Sequence, residues 1–105
     1  MADTDPERSP PGGGEHPTIA ADRTPPQLRV TGHGFLPRHG VTIRVLDPED
    51  TTSYFQYVAD GDGDLDARLP TTLPHGTLQI SATDDRPDPT DDTGRLWTNT
   101  DTLTW

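Results

Sequence analysis

Hydrophobic and polar residues alternate with a period of two in several short segments of the chain. The clearest two are QLRVTG at 27–32 and VTIRVL at 41–46, where an aliphatic residue occupies almost every second position. A period of two is that of a β-strand with one buried face. The intervening GHGFLPRHG at 32–40 predicts a tight corner, because glycine accepts positive φ and proline fixes φ and donates no backbone hydrogen bond.

The same pattern continues towards the C-terminus. Strands are predicted at 51–59, 65–69 and 77–83, each bounded by residues typical of turns. The last segment, RLWTNTDTLTW at 95–105, fits either one edge strand or a hairpin that turns at 99–101. No segment has a helical period. About seven short strands separated by turns predict an all-β fold, a small antiparallel β-sandwich.

The segment 1–26 differs in composition from the rest. It is polar and contains six prolines and three consecutive glycines, too little apolar surface to fold by itself. It is predicted to be an extended or disordered N-terminal arm, followed by a sandwich domain at 27–105. Two interpretations stay open: a free tail, or an arm that becomes ordered on a partner, with Arg8 and Arg23 as candidate contacts.

Aromatic side chains provide further candidate contacts. In the strand at 51–59, Tyr54 shares one face with Val58, whereas Phe55 and Tyr57 share the other. Because large side chains occupy both faces, one face is expected to be partly exposed, against a partner. Phe35 and Trp97 are predicted to be core residues. Tyr57 and Trp105, the last residue, are predicted either to lie in the core or to bind a partner.

The composition excludes several classes of function. The net charge is −10, from 18 acidic and 8 basic residues, so the surface repels nucleic acids and anionic membranes. No apolar run is long enough to span a membrane, and no secretory signal is recognisable at the N-terminus. Without cysteine, disulfides and thiol chemistry are excluded. No serine lies on a nucleophile elbow, and no catalytic carboxylate pair is evident, so the chain is predicted not to be an enzyme.

Two acidic segments are candidate cation or partner sites. Asp60, Asp62 and Asp64 alternate with glycine in DGDGD and are candidate calcium ligands. An EF-hand loop would require glycine at its sixth position and glutamate at its twelfth, where this chain has Leu65 and Thr71. A hairpin turn is therefore favoured over calcium binding. The second segment, DDRPDPTDDTG at 84–94, is predicted to be a solvated loop, and a contact for a basic partner is the alternative.

Several of these segments carry a family resemblance. GHGFLP at 32–37 followed by VTI at 41–43, the acidic turn at 60–64 and LPHGTLQI at 73–80 resemble the motifs of bacterial and phage immunoglobulin-like (Ig-like) repeat domains. The chain departs from them at Arg38, where the family usually has glycine, and at Leu78, where tyrosine is common. The resemblance implies an Ig-like antiparallel sandwich, which is a scaffold and not an activity.

These observations together lead to a functional hypothesis. We expect a non-catalytic structural protein, an accessory or decoration component of a phage head or tail, that docks through its arm onto coat or tail proteins. It would be made in the cytoplasm and found in the virion or on an extracellular surface after release; a homo-oligomer is also open. The alternative is a carbohydrate-binding or cell-surface-binding module assisted by calcium. A third hypothesis is a small regulator that binds a basic protein.

Overall fold

The computed structural model describes residues 16–24 and 27–105. Within these ranges it contains eight β-strands and no helix: β1 (Thr18–Thr24), β2 (Gln27–His33), β3 (Gly40–Leu46), β4 (Thr52–Val58), β5 (Leu65–Leu69), β6 (Thr77–Pro87), β7 (Arg95–Trp97) and β8 (Asp101–Thr104). None of the described segments forms a helix that is long and apolar enough to cross a membrane.

The strands form two antiparallel sheets. The smaller sheet has the order β1-β2-β5, and the larger has the order β4-β3-β6-β7, with β8 also paired to β6. Trp97 of β7 lies opposite Thr83, and Asp101 of β8 lies opposite Ile80. The two short strands therefore follow one another along the same edge of β6. The molecule is a small all-β sandwich, as the alternation of residues predicted.

The core lies between the two sheets. Leu28 and Val30 of the smaller sheet and Val41, Ile43 and Val45 of the larger sheet are fully buried. In each strand these are alternate positions, because successive side chains of a strand point to opposite faces. Phe35 closes one end of this core with 4% of its surface exposed, so its predicted core position is confirmed.

The second half of the predicted arm is part of the sandwich. Residues 18–24 form β1, which pairs with β2 from Thr18 opposite His33 to Thr24 opposite Gln27. Ile19 belongs to the core, and Pro17 is fully buried. The predicted boundary at residue 26 is therefore wrong by about one strand length. Residues 1–15, including the candidate contact Arg8, lie outside the described part of the chain.

Two predictions for the C-terminal third are corrected. Strand β6 extends to Pro87 and so includes the first residues of the predicted acidic loop, among which Asp84 and Arg86 are buried. The final segment is neither a single strand nor a hairpin, because β7 and β8 both pair with β6 and not with each other. The interruption covers residues 98–100, where the backbone N–H of Thr98 donates to Ala82 O at 2.9 Å.

The corner between β2 and β3 packs against the acidic turn that follows β4. Gly63 has φ of +79°, and a Cβ atom there would collide with the carbonyl oxygen of Phe35. Arg38 has φ of +60°, in the left-handed region that favours glycine. Arg38, one of the two positions at which the chain departs from the motifs it resembles, is thus one where the backbone suits glycine.

Candidate functional site

The outer face of the larger sheet carries the largest exposed apolar side chains among the described residues. Tyr54 is 60% exposed and Val58 is 68% exposed. On the opposite face of β4, Phe55 and Tyr57 are half-buried and pack against the core. This arrangement confirms the sequence-based expectation that one aromatic face of this strand is exposed.

A shallow depression lies beside Tyr54 on this outer face. Its volume is about 310 Å³, and it is lined by side chains from three neighbouring strands and from the segment between β7 and β8: Arg44, Leu46, Thr52, Tyr54, Gln79, Ser81 and Thr100. The lining combines one aromatic ring, one cation and several hydroxyl or amide groups. We call Tyr54, Val58 and this depression the outer-face patch.

Arg44 is held in the outer-face patch by two contacts. Its Nε donates a hydrogen bond to Ser81 Oγ at 3.1 Å, and its guanidinium carbon lies 3.8 Å from the ring centroid of Trp97. A cation over an indole face is attracted by the ring quadrupole. Trp97 is itself fixed, since its Nε1 donates to Thr93 Oγ1 at 2.7 Å. Trp97 is therefore a half-buried residue of the outer face and not the core residue that the sequence predicted.

The field of Arg44 extends to the loop between β6 and β7. The pKa of Asp91 lies below its ordinary value, mainly because the backbone N–H of Thr93 donates to the carboxylate, and to a smaller extent because of the Thr93 hydroxyl and the positive charge of Arg44. The segment 88–94 keeps the loop character that the sequence predicted. The negative charge of Asp91 in this loop partly compensates the positive charge of Arg44 in the outer-face patch.

The predicted partner-binding residues Tyr57, Trp105 and Arg23 lie in three different environments. The Tyr57 hydroxyl donates to the carbonyl oxygen of Arg68 at 2.8 Å, and burial raises its pKa above the ordinary value. Trp105 stacks on His75 with ring centroids 5.7 Å apart. Arg23 is exposed on β1, opposite Leu28. None of these contacts joins two of the three residues.

Trp105 is anchored to the sandwich by its backbone. Its N–H donates to Gly76 O at 2.8 Å, and its carbonyl oxygen accepts from Gly76 N at 3.0 Å. The indole packs against the core, and its Nε1 is buried without a hydrogen-bond partner in the described part of the chain. These contacts favour the core role of this residue over the anchoring role.

Asp60, Asp62 and Asp64 do come together as the sequence predicted. One carboxylate oxygen from each lies within 4.8 Å of the others. Asp60 Oδ1 already accepts the backbone N–H of Asp62 at 2.8 Å and of Asp64 at 3.0 Å, and these bonds lower the pKa of Asp60. His33 Nδ1 lies 2.9 Å from Asp64 Oδ1. The turn therefore accounts for the position of Asp60, and calcium binding stays a prediction.

The outer edge of β1 is covered by side chains that sequence reasoning did not identify. The Asn99 amide accepts a hydrogen bond from Ile19 N at 2.9 Å and donates one to Ile19 O at 3.1 Å. Asp101 Oδ2 accepts from Ala21 N at 2.7 Å. The only sequence signal for this contact was a run of short polar residues at the expected turn. These side chains connect the larger sheet to the edge of the smaller one.

Comparison with models of known protein families and with curated proteins finds no match to this chain.

Proposed function

We propose that this protein is a non-catalytic structural module that docks onto neighbouring protein subunits through its outer-face patch. The observation that carries the proposal is the exposure of Tyr54 and Val58 on a face where most of the residues that line the depression are polar. Exposed apolar side chains rimmed by polar ones are typical of protein interaction surfaces, and aromatic residues supply much of the energy at such interfaces.

The chemistry of the patch suits binding. Tyr54 offers an apolar ring with a polar tip, and such residues are enriched in interfaces because one end is apolar and the other hydrated. Arg44 is stacked on Trp97, so a partner meets a guanidinium that already has a defined position. Less conformational entropy is lost when contact residues are ordered before binding.

Hydroxyl-radical footprinting of the chain, alone and in the complex isolated from its natural source, tests this proposal. We expect Tyr54 to be modified in the isolated chain and protected in the complex. His33, whose side chain is 74% exposed on the smaller sheet, serves as the internal control and should be modified equally in both. Equal modification of Tyr54 in both states would contradict docking through this face.

A matched pair of variants tests the same face by affinity. Gln79 lies in the depression, whereas Gln27 is exposed on the smaller sheet. Gln79→Arg adds a large charged side chain to the proposed interface, and Gln27→Arg makes the same change elsewhere. We expect only Gln79→Arg to weaken incorporation into the complex, by about tenfold or more.

The N-terminal segment is the second proposed docking element. Truncation through residue 24 would remove β1, including the core residue Ile19, so it would test folding and not docking. Removal of residues 1–15 leaves every described strand in place. If the segment contributes to docking, this shorter truncation weakens incorporation into the complex without lowering the melting temperature.

The proposed setting is an accessory position on a phage head or tail, as the sequence suggested. This setting is supported by the motif resemblance and the acidic composition. Sedimentation of purified particles, followed by mass spectrometry at increasing salt, tests it. The chain should remain with the particles at moderate salt; recovery only in the soluble fraction would contradict the setting.

Carbohydrate binding is a second candidate function. It is favoured by the exposed ring of Tyr54 beside the hydroxyl and amide groups of the depression, because aromatic rings stack on the apolar faces of sugars. A glycan array tests it. Binding that is lost in Tyr54→Ser and retained in Tyr57→Phe would support this function over protein docking.

A further inference from the structure

We propose that β4 pairs edge to edge with β4 of a second copy of this chain. The two strands would run antiparallel and cross at Phe55, so the larger sheets of the two copies would join across a two-fold axis. The inference goes beyond docking through the outer-face patch, because it uses the backbone edge of β4 and leaves the depression open.

Backbone hydrogen bonds at both ends of β4 show which of its residues face outward at the edge. Ala59 N donates to His39 O at 3.0 Å, and Thr51 O accepts from Asp47 N at 3.0 Å. The backbone N–H and C=O groups of these two odd-numbered residues therefore point towards β3. Because these directions alternate along an antiparallel strand, the N–H and C=O groups of the even-numbered residues point away from β3: Thr52, Tyr54, Gln56 and Val58.

These outward groups have no covering element in the described part of the chain. Strand β4 pairs only with β3. By contrast, Asn99 and Asp101 cover the edge of β1, and the Tyr57 hydroxyl covers part of the edge of β5. Strand edges are usually protected in such ways, because unpaired backbone groups recruit other strands.

The charge distribution indicates a second strand as the occupant. The chain has 18 acidic and 8 basic residues, yet none of them lies between Thr51 and Ala59. Charged residues and proline are the common protection of an edge strand, and β4 has neither. An uncharged strand is able to pair with a copy of itself without opposing like charges directly across the pair.

Pairing about Phe55 makes the strand complementary to itself. Tyr54 would lie opposite Gln56 of the second copy, and Thr52 opposite Val58. Each pair joins even-numbered residues, so the partners lie on the same face and exchange backbone hydrogen bonds. Tyr54 and Val58, the large apolar side chains that are exposed in the described part of the chain, would each gain a neighbour across the strand pair.

The acidic turns at the two ends of β4 oppose this association. Glu49 and Asp50 precede the strand, and Asp60 and Asp62 follow it, so an antiparallel pair brings the two acidic ends near one another. Salt screens such repulsion. Association of two copies should therefore strengthen with added salt, whereas association with a basic partner should weaken.

Sedimentation equilibrium of the full chain tests the proposal at salt concentrations of about 0.01 M and about 1 M, between which the Debye length falls from about 30 Å to about 3 Å. We expect a monomer–dimer equilibrium that shifts towards dimer at high salt. A chain that remains monomeric in both conditions at the highest soluble concentration overturns the proposal and leaves the edge to a strand of another protein.

Two variants with the same change of charge locate the interface. Gln56→Glu places like charges about 7–8 Å apart across the two-fold axis, whereas Gln79→Glu adds the same charge on interior strand β6. We expect dimerisation to weaken about tenfold in Gln56→Glu and to change little in Gln79→Glu. Equal effects of the two variants would overturn pairing through β4.

Cysteine cross-linking tests the register, and the absence of native cysteine keeps the experiment simple. Residues 54 and 56 of opposite copies would be about 5.5 Å apart at Cα, within disulfide range. Two copies of residue 54 would be about 7–8 Å apart. Mixed Tyr54→Cys and Gln56→Cys chains should therefore form a heterodimer faster than either variant forms a homodimer; no preference would overturn the register.

These tests distinguish failure of self-pairing from failure of outer-face docking. Gln79→Arg should weaken incorporation into the complex and leave the monomer–dimer equilibrium unchanged. Gln56→Glu should weaken dimerisation of the purified chain, where no other protein is present.

Discussion

Asp84 and Arg86 form a buried ion pair at the end of the sandwich. Arg86 Nη2 lies 3.0 Å from Asp84 Oδ2, and the exposed fractions of the two side chains are 9% and 0%. The pair also holds the β2–β3 corner, because Leu36 N donates to Asp84 Oδ2 at 2.8 Å and Arg86 Nη2 donates to Gly34 O at 2.8 Å. The first residues of a segment with the composition of a solvated loop therefore stabilise the corner between β2 and β3.

Breaking this pair should destabilise the fold strongly. We expect Asp84→Asn to lower the free energy of unfolding by about 3–5 kcal/mol, because it leaves a buried guanidinium uncompensated. Denaturant unfolding measures the change. The double variant Asp84→Leu with Arg86→Met is the control. It leaves no buried charge, so it should lose less free energy of unfolding than Asp84→Asn; a double variant as unstable as Asp84→Asn would contradict this account.

Removing the Asn99 side chain should expose the edge of β1. Asn99→Ala eliminates both hydrogen bonds to Ile19, which should cost about 1–3 kcal/mol in unfolding free energy. Hydrogen exchange at the Ile19 amide should accelerate as well. Thr100→Ala, a change at the neighbouring exposed residue, is the control; comparable losses in both variants would show that Asn99 has no special role at the edge.

The backbone conformation of Arg38 predicts an unusual order of stabilities. Arg38→Gly and Arg38→Ala both remove the guanidinium, but only glycine accepts φ of +60° without strain. We expect the glycine variant to be the more stable of the two by about 1 kcal/mol, as measured by thermal unfolding. If alanine is equally stable, the left-handed conformation carries no cost at this corner.

The pair of Arg29 and Asp66 predicts an acid-sensitive contribution to stability. Arg29 Nε and Nη2 donate to the two carboxylate oxygens of Asp66, each at 2.8 Å, and this lowers the pKa of Asp66 below its ordinary 3.8. A depressed carboxyl pKa stabilises the fold above the unfolded-state value, and this stabilisation is lost as the pH falls through the folded-state pKa.

The difference in melting temperature between the native chain and Asp66→Asn should therefore be constant from about pH 7 to pH 5 and shrink below about pH 4. Arg29→Gln should show the same convergence, because either change removes the ion pair. A difference that is unaffected by acid would mean that the ion pair does not contribute to stability.

Variants of Asp60 and Asp62 distinguish a structural role of the acidic turn from calcium binding. The carboxylate of Asp60 accepts hydrogen bonds from the backbone N–H groups of Asp62 and Asp64. Asp60→Ala should therefore lower the melting temperature in the presence of a chelator, and Asp62→Ala should not. Millimolar calcium should leave the native melting temperature unchanged. A rise with calcium that disappears in Asp62→Ala would instead establish the cation site.

The faces of β4 could be assigned from the sequence, whereas the existence of β1 could not. Alternation places Tyr54 on one face and Phe55 on the other, and local geometry decides this. In TIAADRT only Ile19 contributes to the core cluster of buried residues, and the surrounding prolines and glycines dominate the composition. The strand forms because the edge of β2 and the Asn99 side chain satisfy its backbone groups.

The outer-face patch was likewise only partly visible in the sequence. The exposure of one aromatic face of β4 followed from its pattern, but the stacking of Arg44 on Trp97 joins residues of β3 and β7 that lie far apart in the chain. Trp97 was expected in the core because large aromatic rings are usually buried. In the structure, the guanidinium of Arg44 lies over one face of the ring, and the residue is half-buried.

Alone, the sequence determined the all-β class, most strand positions and which side chains share a face of each predicted strand, because the two-residue period and the turn residues act locally. The tertiary structure decided which strands lie at the edges, which acidic residues are buried and which strand edge is left uncovered. Those properties depend on contacts between residues distant in the chain, such as Asp84 with the corner at Leu36, and alternation along one strand carries no information about them.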